Sequence, residues 1–538
     1  MIIEYKDYRI SSDESLNLFY AITACLKEKA SCLHFEKGIY HFNSEFAFER
    51  ALCIANHGEN GYKRTAFLLE YMSDFEIDGG GSHFIFDSVM NMMTVLNCDN
   101  ITIKDLTLSM SVCPYPEGRV TAVNDNSFDV EFSYHEELLV EENALLIPIG
   151  DKYEPVVCDI EFDGKTHEIE IGTGDNSAGI PLYKLKKEII AYNTIRFYNS
   201  PRIPKLGNTL VLMIGRRYAS GLLFDGCNHI KLKNINIYSC VGIGVMAQYC
   251  NNFTIQNCSV TSQEGKFIST GADATHFVSC TGNITVSDCL FEHMLDDALN
   301  VHGIYVKVHR SECGKAIVKF CNSATTGVDI FKSGDKVCQM DSKTLIPIMS
   351  ATISSVHKIN NEMTELIFEE NVEMTEGYII ENLTTYPTLN LRQCTIRNNR
   401  ARGVLIATKQ HCVIEDCDFH TAGSAIVLEC DASFWYESGG VMDIEILNNR
   451  FEGCKYGAWG NGIIYVPPRE LVLPNKYYHG CVVVKGNEFL SCYDDVMIAD
   501  NVSELIYEQN FSNQEQVLRL SHVGKTDIQP DVQSVICD

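Results

Sequence analysis

Apolar and polar positions alternate with a period of two along much of the chain, in short bursts that share one nine-residue phrase. The phrase runs polar or small, apolar, any, apolar, any, usually Asn or Asp, two variable positions, then apolar. It reads HIKLKNINI at 229–237, NFTIQNCSV at 252–260, NITVSDCLF at 283–291, TLNLRQCTI at 388–396, HCVIEDCDF at 411–419, DIEILNNRF at 443–451 and CVVVKGNEF at 481–489. NITIKDLTL at 100–108 and ELIYEQNFS at 504–512 are weaker relatives. Alternation marks a strand with one buried face, and a mid-phrase Asn or Asp suits a tight turn that accepts left-handed backbone angles. Each copy therefore predicts strand, turn, strand. The copies starting at 229 and 252, 388 and 411, and 481 and 504 are each 23 residues apart, which fits one rung of a right-handed parallel β-helix. The steps of 31 from 252 to 283 and of 32 from 411 to 443 need loop insertions. Nothing in these segments has a 3.6-residue period, which disfavours leucine-rich and helical repeats.

Two stretches leave the pattern. Residues 111–215 and 309–385 carry short alternating strands with Gly-Asp and Gly-Asn turns, as expected of small antiparallel barrels or sandwiches inserted between rungs. The predicted plan is all-β: a cap and first rungs over 1–110, a barrel-like insert over 111–215, rungs over 216–308, a second insert over 309–385, and rungs with a tail over 386–538. In the first segment SLNLFYAITACLKEK predicts a short helix that covers the open end of the solenoid, where an unpaired rung would expose backbone and apolar surface. Gly79, Gly80 and Gly81 fall at a turn and lack the Lys and helix that a phosphate loop requires.

Cysteine is abundant, with 23 residues, but no Cys-x-x-Cys occurs. Cys258, Cys289, Cys394 and Cys417 all hold the seventh place of the phrase, so they predict an interior column of reduced thiols. Asn-x-Thr strings such as that at Asn252 arise from the same repeat and carry no glycosylation signal. The formal charge of −28, without a long basic run, disfavours nucleic acid as a partner. The chain opens on MIIEYKDYRI and shows no apolar run of about 20 residues, so it is read as soluble and cytoplasmic, with no membrane association.

Candidate chemistry concentrates in residues 270–303, TGADATHFVSCTG and FEHMLDDALNVHG. Asp273 precedes Asp296 by 23 residues and Asp297 by 24, about one rung, so the three carboxylates should be neighbours in space. Like charges at rung spacing raise one another's pKa, a cost tolerated most readily where function uses it. Glycoside hydrolysis is such a use: one carboxylic acid protonates the leaving oxygen, and a second carboxylate activates water or attacks the sugar. Rung spacing alone leaves the stereochemical course open. Consecutive strand residues face opposite ways, so Asp296 and Asp297 share one cleft only if the backbone bends there. His276, Asn300 and His302 accompany the acids and are candidates to orient carboxylates or bond sugar hydroxyls. The pair Asp494 and Asp495 has a similar rung position but reads as turn formers. Trp435 and Trp459, the only tryptophans, are candidates to stack on a sugar face, against the commoner role of loop anchor.

Gly271-Ala272-Asp273-Ala274-Thr275-His276-Phe277, followed by Asp296-Asp297-Ala298-Leu299-Asn300-Val301-His302-Gly303, resembles the signature of glycoside hydrolase family 110, as does the stretch from Tyr238 to Gln248. The resemblance extends to the plan of a pectin-lyase-like β-helix interrupted by barrels. It implies exo-cleavage of terminal α-1,3-linked galactose from an oligosaccharide or glycan, with inversion. It also implies three catalytic aspartates at Asp273, Asp296 and Asp297, with no metal and no organic cofactor. Asp273 is then expected as general acid, and Asp296 or Asp297 as the base. Two other readings compete. A β-helix polysaccharide lyase or polygalacturonase would need basic residues beside the acids, and the segment has only Lys266 nearby. A carbohydrate-binding solenoid would tolerate neutralisation of all three aspartates.

Overall fold

A computed structural model describes residues 1–58, 60–133, 138–150, 152–469 and 471–536. Its largest element is a coil of parallel strands whose register repeats rung after rung. Ile230 pairs with Phe253, Phe253 with Ile284, Ile284 with Leu389, Leu389 with Cys412, Cys412 with Ile444, Ile444 with Val482, and Val482 with Leu505. Parallel neighbours require crossover connections, and these take the right-handed sense. The turn between the two strands of each phrase has a common cause. Its sixth residue is left-handed in all nine copies: Asp105, Asn234, Asn257, Asp288, Gln393, Asp416, Asn448, Gly486 and Gln509 have φ between 52° and 69°.

Stacked positions fill the interior. Phe419, Phe451 and Phe489, ninth in their phrases, stack with centroids 5.0 and 4.8 Å apart, the spacing of the rungs themselves. The seventh place is buried Cys258, Cys289, Cys394 and Cys417, and each thiol donates to the carbonyl two residues before it. Further along, the column changes to Asn449, Asn487 and Asn510. There each backbone N–H is received by the next rung's asparagine: Cys417 by Asn449, Asn449 by Asn487, and Asn487 by Asn510. Such a ladder satisfies polar groups that burial would otherwise penalise. No disulfide forms among the described residues. At the N-terminal end the helix Glu14–Glu28, started by Asp13 accepting from the N–H groups of Ser15 and Leu16, lays Leu18, Ala21, Ile22 and Cys25 over the first rungs.

Two antiparallel units interrupt the coil. Strands between Glu117 and Ile214 form an eight-stranded sheet, and strands between Val306 and Asn382 close a six-stranded barrel. Each shares its core with the solenoid. The first packs against Ile268, Leu295, Ala422 and Tyr456; the second packs with Ile54, Ala55, Met246, Ala272 and Val278. Ala272 and Leu295 directly precede the Asp273 and Asp296–Asp297 corners, so the inserts brace the backbone that carries the acids.

Gln393 and Gln509 are the sixth-place residues least suited to a left-handed φ, and the Gln393 side chain is exposed. Gln393→Asn should therefore stabilise the fold by about 0.5–1 kcal/mol, read as a higher denaturant midpoint at unchanged slope. An unchanged or lower midpoint would show that the turn does not strain glutamine.

Candidate active site

The acids lie on the outward side of one strand column. Thr275–Val278 pairs with Leu299–Ile304, which pairs with Val404–Ile406, then Ile426–Leu428, then Ile464–Val466. His276, Asn300, Val427 and Tyr465 occupy one file down this column and line a cavity of about 320 Å³ with Asp273, Asp296 and Asp297. At the corner before the strands the rung step is 24 residues, with Thr275 opposite Leu299, so Asp273 stacks on Asp297 rather than on Asp296. Asp296 and Asp297 fall in a bend, which is why two consecutive side chains reach the same cavity. One oxygen from each of the three acids lies within 4.8 Å of the others.

Arginines make this crowding tolerable. Arg217 donates to Asp296 Oδ2 at 2.7 Å, while Arg400 and Arg402 approach Asp296 Oδ1 at 3.7 and 4.0 Å. The Arg402 side chain grips both oxygens of Asp297 at 2.8–3.1 Å, and its backbone N–H adds a contact at 3.2 Å. The two outer acids consequently diverge. Burial and the Asp296 charge push Asp273 up to about 7. Burial works the same way on Asp296, but the three arginines outweigh it and hold that carboxyl below the usual range. Burial pushes Asp297 up against the pull of Arg402. Environments that separate two carboxyl pKa values in this way separate an acid from a base.

Behind Asp273 stands a chain of imidazoles. His276 Nδ1 meets Asp273 Oδ2, His276 Nε2 meets His302 Nε2 at 2.8 Å, and His302 Nδ1 donates to the Gly303 carbonyl at 2.6 Å. His302 is fully enclosed and does not line the cavity, which corrects its expected contact with sugar. Glu437 Oε1 lies 3.5 Å from His302 Nε2 and accepts from Asn56 Nδ2 at 3.0 Å. His276, His302 and Glu437 form one grouping close enough to share an ion, and the three aspartates form another. Neither donor set fits well. Two imidazoles on a tetrahedral Zn²⁺ keep their nitrogens about 3.3 Å apart, these sit at hydrogen-bond distance, and arginine engages Asp296 and Asp297 while His276 engages Asp273.

The tryptophans both reach the cavity wall. Trp459 donates from Nε1 to Asp175 Oδ1 at 3.2 Å and lies 5.8 Å from the Arg400 guanidinium, which itself holds Asp175 bidentately. Trp435, 43 % exposed, sits in a loop whose N–H groups from Ser433 to Tyr436 converge on the Asp431 carboxylate. The long step between 411 and 443 is what delivers this loop and Glu437. Asp494 and Asp495 stay outside the cavity, receiving the N–H of Gly462 and the side chain of Arg519.

Sequence reasoning missed Asn56, Arg217, Arg400, Arg402, Glu429 and Glu437, all of which line the cavity. It also found only Lys266 beside residues 270–303, and the three arginines from elsewhere in the chain supply the basic groups whose absence counted against an acidic substrate. Arg402 had a readable signal, because it stands two residues before Val404 as Asp297 stands two before Leu299, and these strands pair.

Two family models agree with this architecture. A family model described as a right handed beta helix region matches residues 220–310 and 379–522, and one described as GLAA-B beta-barrel domain II matches 315–375. An alpha-1,3-galactosidase B of Bacteroides thetaiotaomicron is 28% identical over 527 residues, covering 95% of this chain and 85% of that protein. An alpha-1,3-galactosidase A of Shewanella woodyi is 29% identical over 506 residues, covering 91% and 81%. Among solved structures, the Yersinia enterocolitica family 28 exopolygalacturonase matches with TM-score 0.40 at 10% identity, over 99% of this chain and 79% of that one. The catalytic domain of a GH87 alpha-1,3-glucanase in complex with nigerose matches with TM-score 0.41 at 9% identity, over 100% and 68%.

Asp273 titrates near 7 when folded, against an ordinary 3.8. Between those values the folded chain holds a proton that the unfolded chain has released, so this residue's contribution to stability falls as pH rises through the window. Asp273→Asn, whose amide can keep the contact with His276, escapes the loss. It should be more stable than the wild type at pH 8 by on the order of 2 kcal/mol, with the gap closing toward pH 4. A pH-independent gap in thermal melts would contradict the assignment.

Proposed function

We propose that the chain is a right-handed β-helix glycoside hydrolase of the family 110 type, and that it removes terminal α-1,3-linked galactose from an oligosaccharide or glycan by single-displacement inversion. The observation that carries this reading is the separation of Asp273 from Asp296 within one cavity: one acid pushed toward neutrality, one held ionised. The relatives named alpha-1,3-galactosidase support the linkage and the sugar. A cavity of about 320 Å³ walled by Trp435, Trp459 and Tyr465 suits a single terminal residue, which supports exo action.

In the reaction, Asp273 gives its proton to the glycosidic oxygen as the bond from that oxygen to the anomeric carbon breaks. A water attacks the same carbon from the opposite face and passes its proton to Asp296. Solvent exchange then returns a proton to Asp273 and removes one from Asp296. Asp297 fixes Arg402, whose charge helps keep Asp296 ionised. The three acids are spaced more tightly than the ~6.5–9.5 Å usual between the carboxyl groups of inverting enzymes. Retention, however, needs a carboxylate free to attack carbon, and Arg217 and Arg402 hold the two ionisable candidates. Water is the freer nucleophile.

The uronate reading finds its basic residues, but each guanidinium is already committed to a carboxylate: Arg217 to Asp296, Arg402 to Asp297 and Arg400 to Asp175. Glu429 and Glu437 add further acid to the cavity wall. A neutral sugar fits this balance better than an anionic one.

Hydrolysis of Galα1-3Gal followed by NMR should show β-galactose as the first-formed anomer. Asp273→Asn, Asp296→Asn and Asp297→Asn should each lose about 10²–10⁴-fold in kcat. The wild-type kcat/KM should fall as pH rises through about 7, where Asp273 gives up its proton. First-formed α-galactose would overturn inversion, and full activity in Asp273→Asn would overturn the role of the acid.

A further inference from the structure

The imidazole chain behind Asp273 permits only certain arrangements of hydrogen. His302 Nδ1 faces a carbonyl oxygen, which can only accept, so that nitrogen carries a hydrogen. A single hydrogen then lies between His276 Nε2 and His302 Nε2, at 2.8 Å. If it belongs to His276, a neutral His276 has a bare Nδ1 and must receive the hydrogen of Asp273 on Oδ2. If it belongs to His302, His276 carries its hydrogen on Nδ1 and donates to Oδ2, leaving the Asp273 proton on Oδ1. Asp273 Oδ1 has no hydrogen-bond partner among the described residues, and the carboxyl borders the cavity. Only the second arrangement aims the acid proton at a bound sugar.

The second arrangement requires His302 to carry a hydrogen on both nitrogens, and therefore a positive charge. Glu437, 3.5 Å from His302 Nε2, supplies the compensating charge. Burial opposes ionisation of Glu437, but His302, His276 and Arg402 outweigh it and hold the carboxyl below its ordinary range. Burial also pushes His276 well below the imidazole range. The charged and titratable groups that face this chain are Asp273, Asp296, Glu437, Arg217, Arg402 and His57.

We infer that His302, paired with Glu437, is a positioning residue that selects which oxygen of Asp273 carries the acid proton and so controls protonation of the leaving group. The inference rests on the reading of Asp273 as the acid. His302 touches no substrate. Its effect passes through His276, and no bond to carbon changes because of it.

The test compares Galα1-3Gal, whose leaving group needs a proton, with 2,4-dinitrophenyl α-galactoside, whose leaving group does not. His302→Ala should lose on the order of 10²-fold in kcat on the disaccharide but less than about 5-fold on the dinitrophenyl substrate, with KM little changed. The dinitrophenyl rate thereby also reports that the variant is folded. His302→Gln, whose amide can donate to His276, should recover part of the disaccharide rate. Glu437→Gln should repeat the pattern of His302→Ala in weaker form, with a loss in kcat on the disaccharide and little on the dinitrophenyl substrate. Equal losses of His302→Ala on both substrates, or a loss on neither, would overturn the inference while Asp273→Asn still shows the leaving-group dependence of an acid. If Asp273→Asn itself loses equally on both substrates, the acid assignment falls first, and the role of His302 falls with it.

Discussion

The winding of the chain is the constraint on which everything else depends. Each rung returns to the same corner about 4.8 Å above the last, and the hydrogen bonds of the ladder leave little freedom to slip. Asp273, Asp297 and Arg402 are successive occupants of one such corner. Two buried carboxyls at that spacing cannot both carry full charge cheaply. The fold meets the conflict with an arginine on the following rung and a proton on the preceding one. The same stacking that builds an inert interior of phenylalanine and cysteine builds, on the outer side, a gradient of protonation.

The inserted units matter for a related reason. A bare solenoid corner is a bend exposed to solvent, where water would screen the charges and flatten the differences between them. The eight-stranded sheet packs against Leu295, and the barrel packs against Ala272 and Ala55. Their cores thus hold the Asp273 and Asp296 corners, and the segment bearing Asn56, in a largely dry setting. Loops from later rungs then complete the wall with Trp435, Glu437 and Trp459.

Much of this was legible in the residues, and the boundary of what was legible has a physical cause. The period-two phrase with its left-handed sixth residue is local, so the rungs could be counted and Asp273 placed beside Asp296 and Asp297 before any coordinates. The cysteine column followed from the same count. The arginines were hidden because a barrel separates Asp297 from Arg402 by more than a hundred residues, and only excising it restores the register. Asn56, Arg217 and Glu437 obey no repeat and reach the cavity by loop geometry, which no spacing encodes. His302 was misplaced for a subtler reason. Strand alternation puts it on the outer face as expected, but the outer face there is covered by the antiparallel pairing of Gly303–Ile304 with Glu437–Ser438.

Acid and base at this site are divided by Asp273 holding a proton near neutrality while its neighbour Asp296 does not. Infrared difference spectroscopy of wild type against Asp273→Asn reads this directly, since a protonated carboxyl absorbs apart from a carboxylate. At pH 6 the difference should contain a protonated-carboxyl band that disappears as pH rises through about 7, and the corresponding difference for Asp296→Asn should contain only carboxylate bands. A carboxylate signal for Asp273 at pH 6, or a protonated one for Asp296, would contradict the division of labour proposed for the two acids.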